Sequence, residues 1–162
     1  MKTTPLASGL ALLVAIAVIV GIVYLLVVPT TDGSTFVGEP DLKIDLIGGE
    51  FDSMFGFGNP QTSIGSPGPE ILVKQGQAVR VTLLNVGEIP HTFQIVEENW
   101  FENKLNAVAV FGAKIGSNTT PLNPGKAGTT TFLADKTGTF QYICTIPGHA
   151  DRGMIGTIIV ES

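Results

Sequence analysis

From residue 41 onward, the sequence consists of short apolar runs interrupted by glycine and proline, and this pattern excludes folds built from long helices. The chain contains 20 glycines and 10 prolines, and 44% of its residues are hydrophobic. Glycine and proline break helices, whereas short apolar runs with turn residues between them are typical of strands. The pattern therefore predicts an all-β sandwich or barrel.

The candidate strands are short, and several of them alternate between apolar and polar residues. Val79, Val81 and Leu83 point to one face of their strand, whereas Arg80 and Thr82 point to the other. The predicted strands are Leu42–Ile47, Glu70–Lys74, Gln77–Val86, His91–Glu97, Gly128–Ala134, Thr139–Thr145 and Met154–Glu161.

The stretch from residue 98 to residue 125 is less regular. Asn99 is placed to cap a short helix, with Glu102 at the third helical position, as in a capping box. In that helix, three apolar side chains are expected to face the sandwich: Trp100, Phe101 and Leu105.

The N-terminal segment has a different character. No charged residue occurs between Thr3 and Thr31, and residues 9–28 are almost entirely aliphatic. Twenty helical residues span roughly 30 Å, the thickness of the hydrocarbon core of a bilayer. We expect one transmembrane helix within residues 1–28. A cleaved secretory signal is the alternative, although no small-residue cleavage site follows the apolar run.

The flanking charges predict the orientation of this anchor. Lys2 precedes the apolar run, and no further lysine or arginine occurs before Lys43. The positive-inside rule then keeps the N-terminus in the cytoplasm and puts the remainder outside the cell membrane. The expected organisation is an anchor, a linker over residues 29–40 that is rich in turn-forming residues, and a domain over residues 41–162.

Charge and residue counts exclude several classes of function. The formal charge of −5 argues against nucleic-acid binding through a basic surface. The chain contains one cysteine, Cys144, and two histidines, His91 and His149. It therefore forms no internal disulfide, and it cannot supply a three-histidine zinc site, a trinuclear copper cluster or a copper pair bridged by two thiolates.

The single cysteine and one of the two histidines are regularly spaced with a methionine. Four residues separate Cys144 from His149, and four more separate His149 from Met154. The pattern predicts a loop between two strands, while His91 begins another strand on a core-facing row. A thiolate, two imidazoles and a weakly bound thioether are the ligands of a blue-copper electron-transfer site. Zinc more often takes a carboxylate, water or a second thiolate than a thioether.

The segment from Cys144 to Gly156 resembles the ligand loop of the cupredoxins, the small blue copper proteins, and is most similar to the rusticyanin and sulfocyanin branch. The segment from Asn85 to Phe93 resembles the region of the family's first ligand. The segment from Pro124 to Phe132 resembles the turn and strand that precede the cysteine strand. Together the similarity covers residues 70–162.

The resemblance implies a Greek-key β-sandwich with one type 1 copper ion near one end. It also implies that His149 is partly exposed within an apolar patch where redox partners dock. The Thr92 hydroxyl is expected to tether the ligand strands. The residues expected around the edge of the His149 ring are Ile89, Pro90, Ile146, Pro147 and Ala150.

The expected function is that of a membrane-anchored one-electron carrier, not an enzyme, with no small-molecule substrate. Its partners would be a respiratory cytochrome and a terminal oxidase or reductase on the outer face of the membrane. A copper storage or delivery module is the alternative. The copper-binding half of a nitrite reductase or multicopper oxidase is a third interpretation, which the histidine count disfavours.

Overall fold

The computed structural model describes residues 38–102 and 107–162. Within this part of the chain, residues from Glu39 to Ser162 form one compact unit. No helix among these residues is long and apolar enough to span a membrane. The predicted anchor and the linker up to residue 37 lie outside the described residues, so both stay predictions.

The compact unit is a sandwich of two β-sheets. In the first sheet the strand order is β2-β1-β4-β7, and in the second it is β3-β9-β8-β5-β6. The strands are β1 (Leu42–Phe51), β2 (Met54–Gly58), β3 (Ile71–Lys74), β4 (Ala78–Asn85), β5 (Phe93–Glu97), β6 (Lys114–Ile115), β7 (Ala127–Leu133), β8 (Gly138–Ile143) and β9 (Ile155–Glu161). The prediction of an all-β sandwich is confirmed. The chain passes repeatedly from one sheet to the other, as expected for the Greek-key sandwich that the resemblance to cupredoxins implied.

All seven predicted strands are present, although most of their first and last residues differ from the prediction by one to four positions. Leu83 and its two neighbours on the same face of β4 are fully buried, as the alternation predicted. The largest shift at a strand start concerns β5, which begins at Phe93 instead of His91. His91 forms only an isolated bridge with Leu122, because the amide of Thr92 donates to the Cys144 sulfur instead of to a neighbouring strand.

Two strands were not predicted. In β2, glycines at positions 56 and 58 hide the apolar pattern, since glycine is depleted in strands. Close packing requires both glycines: a Cβ at Gly56 would lie 2.1 Å from the carbonyl oxygen of Gly65, and a Cβ at Gly58 would lie 2.7 Å from that of Ser63. The other strand, β6, contains two residues and is too short for any periodicity.

The prediction of a capped helix after Asn99 is only partly confirmed. Residues 100–102 have 3₁₀ geometry, and residues 103–106, including Leu105, lie outside the described residues. Trp100 is half-buried and its indole N–H donates to the side chain of Gln141, but Phe101 is 58% exposed. Consecutive residues of a 3₁₀ turn point about 120° apart, so Trp100 and Phe101 cannot both face the sheet.

An aromatic cluster packs the two sheets together. The Tyr142 ring stacks on Phe93 and meets the edge of Phe57, with centroids 5.5 and 5.1 Å away. Its hydroxyl donates to the carbonyl oxygen of Pro69. The ring lies directly over Gly156 of β9, where a Cβ would be 2.1 Å from the ring. This packing fixes β8 against β9, the two strands that flank the predicted ligand loop.

We predict that Gly156→Ala lowers the free energy of unfolding by at least about 1–3 kcal/mol, because the added methyl group would displace the Tyr142 ring. Gly65→Ala is the matched control, since the nearest atom to a Cβ there is 3.8 Å away. Its effect should stay below about 1 kcal/mol. Urea unfolding of both variants measures the difference, and equal unfolding midpoints would contradict this account.

Candidate metal centre

The four predicted ligands lie at the ends of strands that pair with one another. Cys144 directly follows β8, and Met154 directly precedes β9. Because β8 and β9 are antiparallel and Ile143 pairs with Ile155, residues 144 and 154 face each other. The backbone N–H of Cys144 donates to the carbonyl oxygen of Met154 at 3.1 Å. The loop between them is thus closed at its base.

His149 lies within this closed loop. Its carbonyl oxygen accepts a hydrogen bond from the Met154 N–H at 3.0 Å, and its own N–H donates to the Ile146 carbonyl oxygen at 3.1 Å. A 3₁₀ turn over Ala150–Arg152 follows and ends at Gly153, whose φ of 102° is in the left-handed region. These bonds direct the imidazole back toward Cys144.

Three of the predicted ligands bring their donor atoms together. The two histidine Nδ1 atoms are 3.2 Å apart, and the Nδ1 of His149 is 3.5 Å from the Cys144 sulfur. The donor atoms of His91, Cys144 and His149 all lie within 4.8 Å of one another, and all three residues are buried. Among the described residues, this is the only cluster of histidine, cysteine and carboxylate side chains with metal-binding geometry.

Met154 is held in the same region. It is fully buried, and its backbone bonds both to Cys144 and to His149. Its terminal methyl group packs against Gly48 of β1, where a Cβ would lie only 2.9 Å away. The thioether side chain therefore lies between the ligand loop and the first sheet.

Burial sets the protonation of the donors. Burial, together with the neighbouring His91, lowers the pKa of His149 to about 4. Burial also lowers the pKa of His91, although Glu50 partly opposes this effect. Both imidazoles are consequently neutral near pH 7, the form in which a ring nitrogen binds a metal. Burial raises the pKa of the Cys144 thiol, and hydrogen bonds from Thr92 and from the Ile146 amide work against it.

Thr92 connects the two strands that carry ligands. Its hydroxyl oxygen accepts a hydrogen bond from the Thr145 amide at 2.7 Å and lies 2.9 Å from the Thr145 hydroxyl. Its backbone N–H donates to the Cys144 sulfur at 3.4 Å. Thr92 is fully buried, so this network has no competition from solvent. The contacts are those that the tethering hypothesis requires.

His149 is more enclosed than the resemblance implied, with only 7% of its surface exposed. The Phe55 ring stacks on its imidazole with centroids 4.1 Å apart. The guanidinium of Arg152 also lies over the Phe55 ring, 4.3 Å from its centroid. Arg152 also donates to the carbonyl oxygen of Ser53. The unpredicted β1–β2 hairpin is thus the element that covers the ligand.

Two polar residues at the site had no assigned role in the sequence analysis. The side-chain amide of Asn85 donates to the carbonyl oxygens of Ile89 and Leu122, and its oxygen accepts the Gly87 N–H. These bonds fix the turn that leads into His91. The carboxylate of Glu50 accepts the N–H groups of Glu88 and Ile89.

Glu50 also faces the ring of His91. Its carboxylate oxygen is 3.5 Å from the Nε2 of His91. Burial works to raise the pKa of Glu50, but the accepted backbone N–H groups and His91 outweigh it and leave the pKa below its ordinary value. A glutamate that follows two glycines at the end of a strand carries no sequence signal of a site, so no pattern could have identified it.

The donor set fits a single copper ion. Imidazole nitrogens suit both oxidation states of copper, and soft thiolate and thioether ligands favour its reduced form. The site is lined by a thiol and two neutral imidazoles, with a fully buried methionine beside them. Enclosure by the Phe55 ring and by β1 keeps water away from these donors.

We predict that Thr92→Val lowers the free energy of unfolding of the metal-free protein by about 1–3 kcal/mol, because the partly buried Thr145 N–H loses its acceptor. Thr92→Ser keeps the hydroxyl and should recover most of this loss. Urea unfolding of both variants gives the comparison. If Thr92→Val changes neither this stability nor the reduction potential of the copper-loaded protein, Thr92 does not tether the site.

Comparison with known proteins agrees with this donor chemistry. Residues 66–161 match the family model of copper binding proteins of the plastocyanin/azurin family. Copper-containing nitrite reductase from Rhizobium sullae is 35% identical over 129 residues, which cover 76% of this chain and 30% of that protein. Rusticyanin from Acidithiobacillus ferridurans is 35% identical over 95 residues, which cover 57% of this chain and 50% of that protein. The chain thus spans half or less of the length of these relatives.

Solved structures show the same architecture. Dithionite-reduced auracyanin from Roseiflexus castenholzii has a TM-score of 0.54 at 25% identity, with 76% of this chain and 100% of that chain covered. Copper nitrite reductase from Nitrosomonas europaea also has a TM-score of 0.54 at 25% identity, with 74% and 41% covered. Since the family model matches more than half of the chain, the protein belongs to the plastocyanin/azurin family of copper-binding proteins, the cupredoxins, with one copper ion as its cofactor.

Proposed function

We propose that this protein is a one-electron carrier whose copper ion is held by His91, Cys144, His149 and Met154. The observation that carries the proposal is the convergence of one sulfur and two Nδ1 atoms within 4.8 Å in a buried site. A copper ion bound there would supply the change between its two oxidation states. The protein's contribution is to hold the donors in one arrangement for both states.

Several contacts support a rigid site. The Cys144 sulfur accepts hydrogen bonds from the backbone and the hydroxyl of Thr92, at 3.4 and 3.5 Å. His149 is fixed by its backbone bonds and by the stacked ring of Phe55. Donors that are held in this way move little when the charge of the metal changes. Such a site suits electron transfer better than substrate binding, and we propose no enzymatic activity for this chain.

We propose that a redox partner docks over the surface next to His149. Ile89 and Pro147 are exposed there, while Pro90, Ile146 and Ala150 are half-buried. An apolar surface of this kind allows close approach and rapid release, as a transient redox encounter requires. A cytochrome or a terminal oxidase or reductase of a respiratory chain is the proposed class of partner. Arg152, which lies over Phe55, adds one positive charge to this surface.

We also propose that residues 9–28 anchor the protein in the cell membrane as a single span, with the copper domain on the extracytoplasmic side. The length of this apolar stretch and the lysine that precedes it support the proposal. A tether of this kind would keep the carrier close to membrane-bound partners.

Two other functions deserve comparison. A storage or delivery module would use the same donors, but it would release copper to a modest chelator and would need no rigid site. Nitrite reduction is favoured by the 35% identity to the Rhizobium sullae enzyme. However, both histidines of this chain are already used at the proposed site, so a second copper centre would need imidazoles from another chain or segment.

We predict that the copper-loaded protein is intensely coloured when oxidised and gives a reversible one-electron wave in cyclic voltammetry. Cys144→Ser should lose both properties, because the thiolate provides the strongly coupled ligand. Met154→Leu should keep the colour and raise the reduction potential, since it removes a donor to the more highly charged state. Met54→Leu is the matched control at an exposed methionine and should leave the potential unchanged.

Three results would contradict the carrier proposal. They are the absence of stoichiometric copper after reconstitution, an unchanged colour in Cys144→Ser, and release of copper to a modest chelator without a reversible wave. The last result would favour storage or delivery. Turnover of nitrite by the copper-loaded protein would instead favour the reductase.

For the anchor, we predict that the expressed full-length chain sediments with membranes and resists extraction by carbonate. A version in which residues 9–28 carry four Leu→Lys or Val→Lys changes should become soluble, because each charge is costly at the centre of a bilayer. Recovery of the unchanged chain in the soluble fraction, with its first residues removed, would instead indicate a cleaved signal.

A further inference from the structure

We propose that Glu50 is a positioning residue for the copper site: its carboxylate accepts the Nε2–H of His91 and fixes the orientation of that imidazole. The inference rests on the proposed role of His91 as a ligand, and it adds a residue outside the ligand set and outside the ligand loop. Glu50 lies in β1, on the sheet opposite the strands that carry the ligands.

The two nitrogens of the His91 ring face different surroundings. The Nδ1 atom points into the cluster, 3.2 Å from the Nδ1 of His149. If Nδ1 binds the metal, a neutral imidazole carries its proton on Nε2. This Nε2 is buried, and it is the one buried side-chain polar atom in the described part of the chain without a hydrogen-bond partner. A buried donor of this kind calls for an acceptor.

The carboxylate of Glu50 is the group that meets this requirement. Its Oε1 atom is 3.5 Å from Nε2, slightly longer than an ordinary N–H···O hydrogen bond. The Glu50 side chain is 28% exposed, whereas His91 is completely buried. The carboxylate therefore keeps some contact with water while it faces the buried donor.

Backbone contacts hold the carboxylate in this position. The N–H of Glu88 donates to Oε2 at 2.9 Å, and the N–H of Ile89 donates to Oε1 at 3.1 Å. Gly87 leaves room for it, because a Cβ at that position would lie 2.1 Å from Oε2. The glycine and the two amides form a fixed receptor for one carboxylate, two to four residues before His91.

This arrangement has a chemical consequence for the metal. A carboxylate that accepts the second N–H of a ligating imidazole fixes the tautomer and the ring orientation, and it makes the ligand more basic. A more basic ligand stabilises the more highly charged ion. Glu50 should therefore strengthen copper binding and lower the reduction potential relative to a protein without it.

The test compares Glu50→Gln and Glu50→Ala with Glu88→Gln, using full-length protein loaded with copper. Glu88→Gln is the matched control, because it removes one negative charge near Glu50 at an exposed side chain and keeps the backbone N–H that the Glu50 carboxylate accepts. We expect Glu50→Ala to weaken copper binding by roughly 10–100-fold and to raise the reduction potential. Glu50→Gln keeps one acceptor oxygen, so its effects should be smaller, and Glu88→Gln should resemble the parent.

Two further measurements separate this role from a merely structural one. In the reduced, diamagnetic protein, NMR should show a slowly exchanging His91 Nε2 proton that is lost in Glu50→Ala and retained in Glu88→Gln. Gly87→Ala, which displaces the carboxylate without removing it, should shift the reduction potential in the same direction as Glu50→Ala. If Glu50→Ala does not fold, Glu50→Gln and Gly87→Ala decide the question.

The inference is overturned if the folded Glu50 variants keep the parent's copper affinity, reduction potential and Nε2 proton signal. It is equally overturned if Glu88→Gln shifts the potential as much as Glu50→Gln, because the effect would then come from net charge alone. These outcomes leave the proposed function intact when the parent itself is a reversible copper carrier. A parent that binds no copper would remove both the proposed function and the inference.

Discussion

The antiparallel pairing of β8 with β9 is the constraint on which the site depends. It ends in the hydrogen bond from the Cys144 amide to the Met154 carbonyl oxygen, which closes a loop of fixed length around His149. The Tyr142 ring of β8 packs against Phe57 and Phe93 and lies over Gly156 of β9. These contacts fix the two strands that flank the loop. The pairing of these strands therefore brings the donors together, and such a fixed arrangement suits the proposed electron carrier.

Burial then determines the chemical state of these donors. Low polarity keeps both imidazoles neutral and opposes ionisation of the Cys144 thiol. Cys144 would bind a metal ion as the thiolate, so its thiol proton would have to leave. Copper binding would then release one proton, and the hydrogen bonds that Thr92 donates to the sulfur would stabilise the thiolate.

The β1–β2 hairpin is the part of this structure that shapes the surroundings of the copper site. Its glycines allow close packing: Gly48 lies against the Met154 methyl group, and Gly56 against a neighbouring backbone carbonyl. The same hairpin supplies Phe55, which covers His149, and Glu50, which faces His91. One element thus contacts both imidazoles from outside the ligand loop, and its second strand, β2, has no strand pattern in its sequence.

The sequence by itself determined the strand rows that bury Leu83 and Tyr142, and it determined the donor set, because a single cysteine and two histidines leave no alternative ligands of those types. It also determined the spacing of Cys144, His149 and Met154, which depends only on positions along one loop. The tertiary structure alone decided that β1 extends to Phe51, that Phe55 encloses His149 and that Glu50 meets His91. Those contacts join segments that are distant in the sequence. They depend on how closely the glycine-containing β1–β2 hairpin packs against its neighbours, and a local hydrophobic pattern does not predict such packing.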